Sequence, residues 1–199
     1  QQFEFIQQVL KANPVIEINA NVFYLLVNEA TFEIQKFSML DNGGRLIMNQ
    51  NYWIVEEGSN KYTTVSTNYL GEISIRLNPS RVYKIVQRDV CGNQFVVVQK
   101  LGSLFNQEKI VNERARLLSV TISECNDQPA NLMGVGRVEI ITTNFNSTIF
   151  FQNNTDNTYL FACENSMEIV VKDQNSEFLR KIILSDLTDD IVLQAYNTD

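Results

Sequence analysis

The feature that most constrains the fold is the period-two alternation of apolar and polar residues between Tyr62 and Val86. Three runs rich in Val, Ile, Thr and Tyr are separated by Gly71 and by Asn78-Pro79-Ser80. Alternation places apolar side chains on one face of a strand, whereas Gly, Asn and Pro favour turns. The segment therefore predicts three strands joined by tight turns, as a β-meander.

The same pattern continues along the chain. Short apolar runs alternate with turn signals such as Asp41-Asn-Gly-Gly44, and no segment shows sustained helical periodicity. A junction is expected within residues 101–112, and residues 1–13 suggest a lead-in strand or a short helix. The sequence thus predicts an all-β chain of two tandem antiparallel β-sandwiches, residues 1–103 and 104–199, with one large sandwich as the alternative.

Composition excludes several classes of function. The formal net charge of -7 argues against a nucleic-acid partner, because phosphate binding requires a basic surface. The chain contains no histidine, so it cannot hold a Ser-His-Asp triad or a mixed Cys/His zinc site. No apolar run approaches the roughly 18 residues of a membrane helix. We therefore expect no cofactor, no metal and no transmembrane segment.

The three cysteines are Cys91, Cys125 and Cys163, and their odd number leaves at least one unpaired within the chain. A disulfide between Cys125 and Cys163 is one interpretation, and three buried thiols are the other. The chain begins at Gln1. A mature secreted protein after signal-peptide removal and a trimmed fragment both fit this start.

The turn and strand signals near the first alternating segment resemble those of carboxypeptidase-regulatory-like, or prealbumin-like, sandwiches and the related Cna protein B-type domain. The resemblance spans residues 14–100 and is carried by these positions: Thr63, Thr64, Thr67, Asn68, Gly71, Ile73, Ile75, Leu77, Pro79 and Tyr83. It implies a structural spacer or ligand-presenting module of a secreted, surface or viral protein. Residues 104–199 look only generically immunoglobulin-like, since the Cys-Trp-Cys spacing of antibody domains is missing.

A few residues could carry binding or modification. Asn146 and Asn153 fit the N-glycosylation pattern. The acidic run from Asp186 to Asp190 offers oxygen ligands for calcium, although a solvated loop explains it more simply. The aromatics to follow as interface candidates are Tyr52, Trp53, Phe150 and Phe151. Trp53 stands in an alternating apolar run, which favours the core.

The sequence therefore predicts a non-enzymatic structural or adhesive module of a secreted, cell-surface or virion assembly such as a filament. Its partners would be copies of itself or other subunits, bound through strand edges and sheet faces. The first alternative is a carbohydrate-binding module that uses exposed aromatics and Asn side chains. The second is a hydrolase with a carboxylate pair.

Overall fold

The computed structural model describes residues 32–124, 136–150, 155–163, 165–173 and 178–197. Regular structure in these ranges consists of strands and one 3-10 helix, Gly102–Phe105. The first seven strands are β1 (Glu33–Leu40), β2 (Asn51–Glu56), β3 (Tyr62–Ser66), β4 (Glu72–Leu77), β5 (Val82–Arg88), β6 (Gln94–Leu101) and β7 (Lys109–Val111). The remaining strands are β8 (Ala115–Glu124), β9 (Arg137–Thr142), β10 (Asn146–Phe150), β11 (Thr155–Phe161), β12 (Met167–Lys172), β13 (Phe178–Leu184) and β14 (Ile191–Asn197).

The strands form four sheets, two in each half of the chain. The first half contains the sheets β4-β1-β7 and β3-β2-β5-β6, and the second contains β11-β8-β14 and β10-β9-β12-β13. The prediction of two tandem all-β sandwiches is confirmed. One detail differs, because the first and last strands of each half, β1 with β7 and β8 with β14, pair in parallel.

Both halves have the same topology. Each strand of the second sandwich occupies the place of the strand seven positions earlier in the first. Residue register agrees as well: Ile54 pairs with Ile85 in the first sandwich, and Ile140 pairs with Ile169 in the second. All four side chains are buried. The chain is therefore a structural repeat, although its sequence had shown only a recurring pattern.

The three strands expected between Tyr62 and Val86 are present as β3, β4 and β5, but they do not form a meander. β4 pairs with β1 in one sheet, whereas β3 and β5 pair with β2 in the other. The turn before β4 is a corner between sheets. In it, Asn68 Oδ1 accepts the N–H groups of Leu70 and Glu72 at 2.8 and 2.9 Å, and Gly71 has φ 66°. Alternation predicts strands, but it does not reveal which sheet receives them.

The junction expected at residues 103 and 104 falls inside the 3-10 helix. Phe105 of that helix is buried in the first sandwich, 5.2 Å from the ring of Phe37. β7 then pairs with β1, so the strand pairs of the first sandwich extend to Val111 and those of the second begin at Ala115. The lead-in strand suggested for residues 1–13 lies outside the described residues.

Each sandwich has an apolar core made by its inward-facing side chains. The largest fully buried side chains of the first core are Phe37, Met39, Ile47, Tyr52, Ile73, Ile85 and Phe105. Those of the second are Leu118, Ile122, Ile140 and Met167. Each core also contains side chains from the other sandwich. Tyr159 and Phe161 of the second sandwich pack in the first core, and Val90 of the first sandwich packs in the second core. The contact between the sandwiches is therefore an extension of both cores.

Candidate functional site

Aromatic side chains from the second sandwich close one end of the first core. In β11, Leu160 faces the core of the second sandwich, so alternation directs its neighbours Tyr159 and Phe161 outward. The Phe161 ring lies 6.1 Å from that of Tyr52, edge-on, and 6.3 Å from that of Phe95. These distances are typical of favourable aromatic pairs. Phe161 therefore joins two sandwiches that are separate in sheet topology.

A disulfide joins the same two parts of the chain. Cys91 lies in the turn between β5 and β6, and Cys163 follows β11, 72 residues later. Beside the bridge, Val90 N–H donates to Phe161 C=O at 2.9 Å. The bridge suggested between Cys125 and Cys163 is therefore corrected, and Cys125 lies outside the described residues. The pairing follows from the docking of the sandwiches, which sequence spacing does not encode.

The turn that carries Cys91 is held by its own side chains. Asp89 Oδ1 accepts the N–H groups of Cys91 and Asn93 at 3.0 and 2.9 Å. Gly92 adopts φ 87°, and a Cβ there would lie 2.9 Å from the Phe145 ring of the second sandwich. Glycine is therefore needed twice, for the left-handed backbone and for the close approach.

Arg114 binds this turn from the short segment between the sandwiches. Its guanidinium lies 3.5 Å from Asp89 Oδ2 and 4.6 Å from the centre of the Phe95 ring. Its carbonyl accepts the N–H of Ala162 at 2.7 Å. One residue thus contacts the turn, the first core and the end of β11, which fixes the direction of the connecting chain.

A second polar contact lies where the turn after β1 meets the second sandwich. Arg45 Nε is 2.7 Å from the buried Asp41 Oδ2, and its Nη2 is 2.6 Å from Asp190 Oδ2. Asp190 Oδ1 accepts the Leu117 N–H at 2.8 Å, and the Tyr159 hydroxyl donates to Asp41 Oδ2 at 3.3 Å. Arg45 therefore links one carboxylate from each sandwich.

The surroundings of this contact shift the pKa values of two of its titratable groups, Asp190 and Tyr159. The backbone N–H of Leu117, followed by the Arg45 guanidinium, lowers the pKa of Asp190. Burial raises the pKa of the Tyr159 hydroxyl, and the nearby Asp41 carboxylate adds to the rise. These shifts favour a charged Asp190 and a protonated Tyr159 at neutral pH, which are the forms that the hydrogen bonds require.

The connecting segment itself is short and hydrogen-bonded. Asn112 is buried; its N–H donates to Leu40 C=O at 2.7 Å and its Oδ1 accepts the Arg114 N–H at 3.2 Å. Its carbonyl accepts the Ala115 N–H at 3.1 Å. Asn42 Nδ2 donates to Glu113 C=O at 3.1 Å. The segment therefore continues the folded structure from one sandwich to the next.

An open cleft of about 290 Å³ lies beside the junction, with walls from both sandwiches. The first sandwich contributes amide side chains, including Asn49, Gln50 and Gln87. The second contributes the hydroxyl groups of Ser147 and Thr158, together with apolar surface from Phe145 and Ile149. Asn49 is held with φ 55°, and its N–H donates to Thr67 C=O at 3.1 Å. The cleft thus combines polar and apolar groups, and its lining also includes the charged residues Arg88 and Asp89.

The aromatic interface candidates lie in different environments. Tyr52 is 1% exposed and belongs to the first core, so it does not present an interface. Trp53 lies half-buried on the outer face, where Arg88 stacks 5.4 Å from the ring centre and Tyr62 lies 6.3 Å away. The core position favoured for Trp53 is therefore wrong, because its inward neighbours Tyr52 and Ile54 fill that face. Phe150 is 66% exposed at the end of β10.

The remaining candidates are modification and ligand sites. Asn146 is exposed at the start of β10, and its glycosylation stays a prediction. Phe151 and Asn153 lie outside the described residues. Of the acidic run considered for calcium, Asp190 binds Arg45 and a backbone N–H. In the part of the chain that the structure describes, no group of three His, Cys, Asp or Glu residues is placed to hold a metal ion.

Sequence reasoning missed the residues that build the junction. Asp41 was assigned only to a turn, and Arg45, Asp89, Tyr159 and Phe161 were not singled out. A usable signal existed in β11, where Tyr-Leu-Phe at positions 159–161 leaves no polar residue for an outer face. In the described ranges, no helix has both the length and the apolar character needed to cross a membrane.

Comparison with known proteins gives no family match and no match among curated proteins. Among solved structures, the chain is similar to the Bacillus anthracis TIE protein, with 12% identity and a TM-score of 0.31. It is also similar to a streptococcal ancillary pilin, with 10% identity and a TM-score of 0.35. The shaft pilin SpaA of Lactobacillus rhamnosus GG shows 9% identity and a TM-score of 0.30.

The matched part of this chain amounts to 84%, 84% and 83% of its length, respectively. It spans 33% of the TIE protein, 63% of the ancillary pilin and 97% of the shaft pilin. At these TM-scores, the role of the chain has to be argued from its own residues.

Proposed function

We propose that the chain is a structural or adhesive module of a cell-surface or extracellular assembly, in which its two sandwiches act as one rigid spacer. The observation that carries this proposal is the junction, where Phe161, the Cys91–Cys163 bridge and Arg45 connect the two sandwiches in different ways. A buried aromatic contact, a covalent bond and an ion pair together oppose relative motion. The partners are copies of the chain or other subunits of the assembly.

The disulfide also supports the proposed location. Disulfides form and persist in oxidising compartments, and they are uncommon in the reducing cytosol. The Cys91–Cys163 bridge stabilises the contact on which the proposed rigidity depends. A cell-surface or extracellular setting is therefore the one in which this module keeps its shape.

A non-enzymatic role fits the use of acidic residues at the junction. Asp41 and Asp190 share Arg45, and Asp89 binds two backbone N–H groups together with Arg114. A hydrolytic carboxylate pair needs one acid that can give up a proton and a second that faces substrate. These three acids are instead bound to cations and to backbone donors, which favours structural work over the hydrolase alternative.

Rigidity can be tested by measuring residual dipolar couplings of backbone amides in the folded chain. We expect the amides of residues 33–111 and those of residues 115–197 to fit one alignment tensor, because the sandwiches reorient together. The matched variant is Phe161→Ala under reducing conditions, in which two tensors of different magnitude should appear. Two tensors in the oxidised, unsubstituted chain would show independent motion and would contradict the proposal.

Carbohydrate binding is the second candidate function, and the cleft of about 290 Å³ is the observation that favours it. Amide and hydroxyl groups beside an aromatic ring suit the hydroxyls and apolar faces of a neutral sugar. An array of neutral oligosaccharides tests this. Retention that Thr158→Val abolishes and Ser74→Ala leaves intact would support it, since Ser74 is exposed on β4 and outside the cleft. A spacer without sugar affinity should show no retention.

A further inference from the structure

The outer surface at the start of the first sandwich is equivalent to the surface that the second sandwich uses for docking. β4 and β11 are equivalent strands, and each has an inward-facing leucine near its end. In β4, Leu77 pairs with Glu33 of β1; in β11, Leu160 pairs with Arg116 of β8. This register sets Ile34 of β1 in the position of Leu117 of β8. Phe32, two residues before Ile34, then corresponds to Ala115, two residues before Leu117. Both lie at the start of their sandwich.

The equivalent positions differ in what covers them. Ala115 is buried, and Leu117 packs partly buried against the first core. Phe32 and Ile34 are 39% and 67% exposed. In the second sandwich this surface is covered by the end of the preceding sandwich. In the first sandwich it is an apolar surface, here called the proximal face, defined by Phe32 and Ile34.

The sequence ahead of the proximal face repeats the sequence ahead of the second sandwich. Val27-Asn28-Glu29 precedes the first sandwich as Val111-Asn112-Glu113 precedes the second. In the second case, Asn112 shapes the connecting segment through its bonds to Leu40, Arg114 and Ala115. The same three residue types therefore precede both β1 and β8, with Asn28 four residues ahead of Phe32 and Asn112 three residues ahead of Ala115.

A longer stretch of this leading sequence matches the end of a sandwich. Glu4-Phe5-Ile6-Gln7-Gln8-Val9 follows the pattern of Glu177-Phe178-Leu179-Arg180-Lys181-Ile182, most of which forms β13. Val22 to Val27 is an apolar run directly ahead of Asn28, as the β7 sequence is directly ahead of Asn112. Residues 1–31 lie outside the described part, so this comparison uses their sequence alone.

We propose that the proximal face docks the end of a further sandwich of the same topology, one whose closing sequence is residues 4–28. The contact would repeat the junction seen between the two sandwiches, with Ile34 in the role of Leu117 and Phe32 in that of Ala115. This deepens the proposed function, because a spacer built of identical junctions extends by adding sandwiches in a fixed orientation.

A disulfide trap tests the proposed geometry. The register places Ser80 where the second sandwich has Cys163. By sequence count, Asn175 comes three residues after the end of β12, as Cys91 comes three residues after the end of β5. The test protein is the full chain with a copy of residues 115–197 in place of residues 1–28, so that a complete sandwich precedes the proximal face. With Asn175→Cys in that copy and Ser80→Cys, we expect a second interdomain disulfide to form in a glutathione buffer, detected by peptide mass spectrometry.

Matched variants show whether the trap depends on the proximal face. Ile34→Glu should reduce the yield of the new bridge at least tenfold. Ile183→Glu in the original second sandwich should leave the yield unchanged, since Ile183 is also 67% exposed but lies on β13. Ser74→Cys, placed on the outer face of β4, should not react in place of Ser80→Cys. Equal yields in all of these variants would overturn the proposal.

A second measurement applies if the extended chain does not fold. Full-length chains carrying Ser80→Cys and full-length chains carrying Asn175→Cys are mixed at high concentration, so that one copy supplies the sandwich end to the other. We expect a mixed-disulfide dimer that Ile34→Glu suppresses. Its absence at every concentration tested would refute the docking surface. Residual dipolar couplings of the original chain would still report one rigid body, so failure here is distinguishable from failure of the proposed function.

Discussion

Phe161 offers a sharp test of the junction because it folds with one sandwich and fills the core of the other. It is 6% exposed, and its ring contacts Tyr52 and Phe95 across the sheet boundary. Truncating a buried phenylalanine to alanine typically costs about 3–5 kcal/mol through lost apolar contact and the cavity left behind. We therefore expect Phe161→Ala to destabilise the first sandwich by a substantial part of that amount, although the residue belongs to β11 of the second.

The single tryptophan makes this measurable. Trp53 lies in β2, so its fluorescence in a urea titration reports the unfolding of the first sandwich. Phe161→Ala should lower the midpoint of that transition markedly. The matched control, Phe178→Ala, removes a ring that is 60% exposed on β13 and should change stability by no more than about 0.5 kcal/mol. An unchanged Trp53 transition, with a shift seen only by circular dichroism, would show that Phe161 does not support the first core.

Two further perturbations address the covalent and ionic contacts. Replacing Cys91 and Cys163 by serine opens a loop with a sequence separation of 72. The unfolded chain then regains the entropy that loop closure had removed, which lowers the free energy of unfolding by about 4 kcal/mol. Calorimetry of the oxidised chain and of the double variant should show this loss, and equal stability would contradict it. Because Asp190 has a lowered pKa when folded, its contribution is complete above the unfolded value of about 3.9 and is lost as the pH falls through the lower folded value. Asp190→Asn should therefore reduce the loss of unfolding free energy at acid pH by no more than about 1 kcal/mol, since the Arg45–Asp190 pair is partly exposed. An unchanged pH dependence would exclude this ion pair as a source of the acid sensitivity.

The architecture could be predicted from the sequence because period-two burial is a local property. Alternation around Ile73, Ile85 and Ile169 predicts strands, and each of these residues is buried in a core. Which strands pair with one another could not be predicted from this alternation. The turn at Gly71 leads to the opposite sheet, and the hydrogen bonds that make this corner look like those of an ordinary tight turn.

The junction could not be predicted because its contacts join distant residues. Arg45 and Asp190 meet only once both sandwiches are folded and docked, and the same holds for Cys91 and Cys163. Neither pair has a diagnostic spacing. The half-exposed position of Trp53 was missed for a related reason, since Tyr52-Trp53-Ile54 is apolar on both faces and alternation cannot choose between them.

The bridge between Cys91 and Cys163 has a mechanical consequence. When tension is applied along the polypeptide, the covalent path enters through β1, crosses between the sulfur atoms after β5 and leaves through β12. Residues 92–162, which include β8 at the centre of its sheet, lie off that path and cannot be drawn out straight. A pulled molecule would therefore lengthen much less than its residue count allows, and the strands inside the loop would remain available to refold it once the force is released.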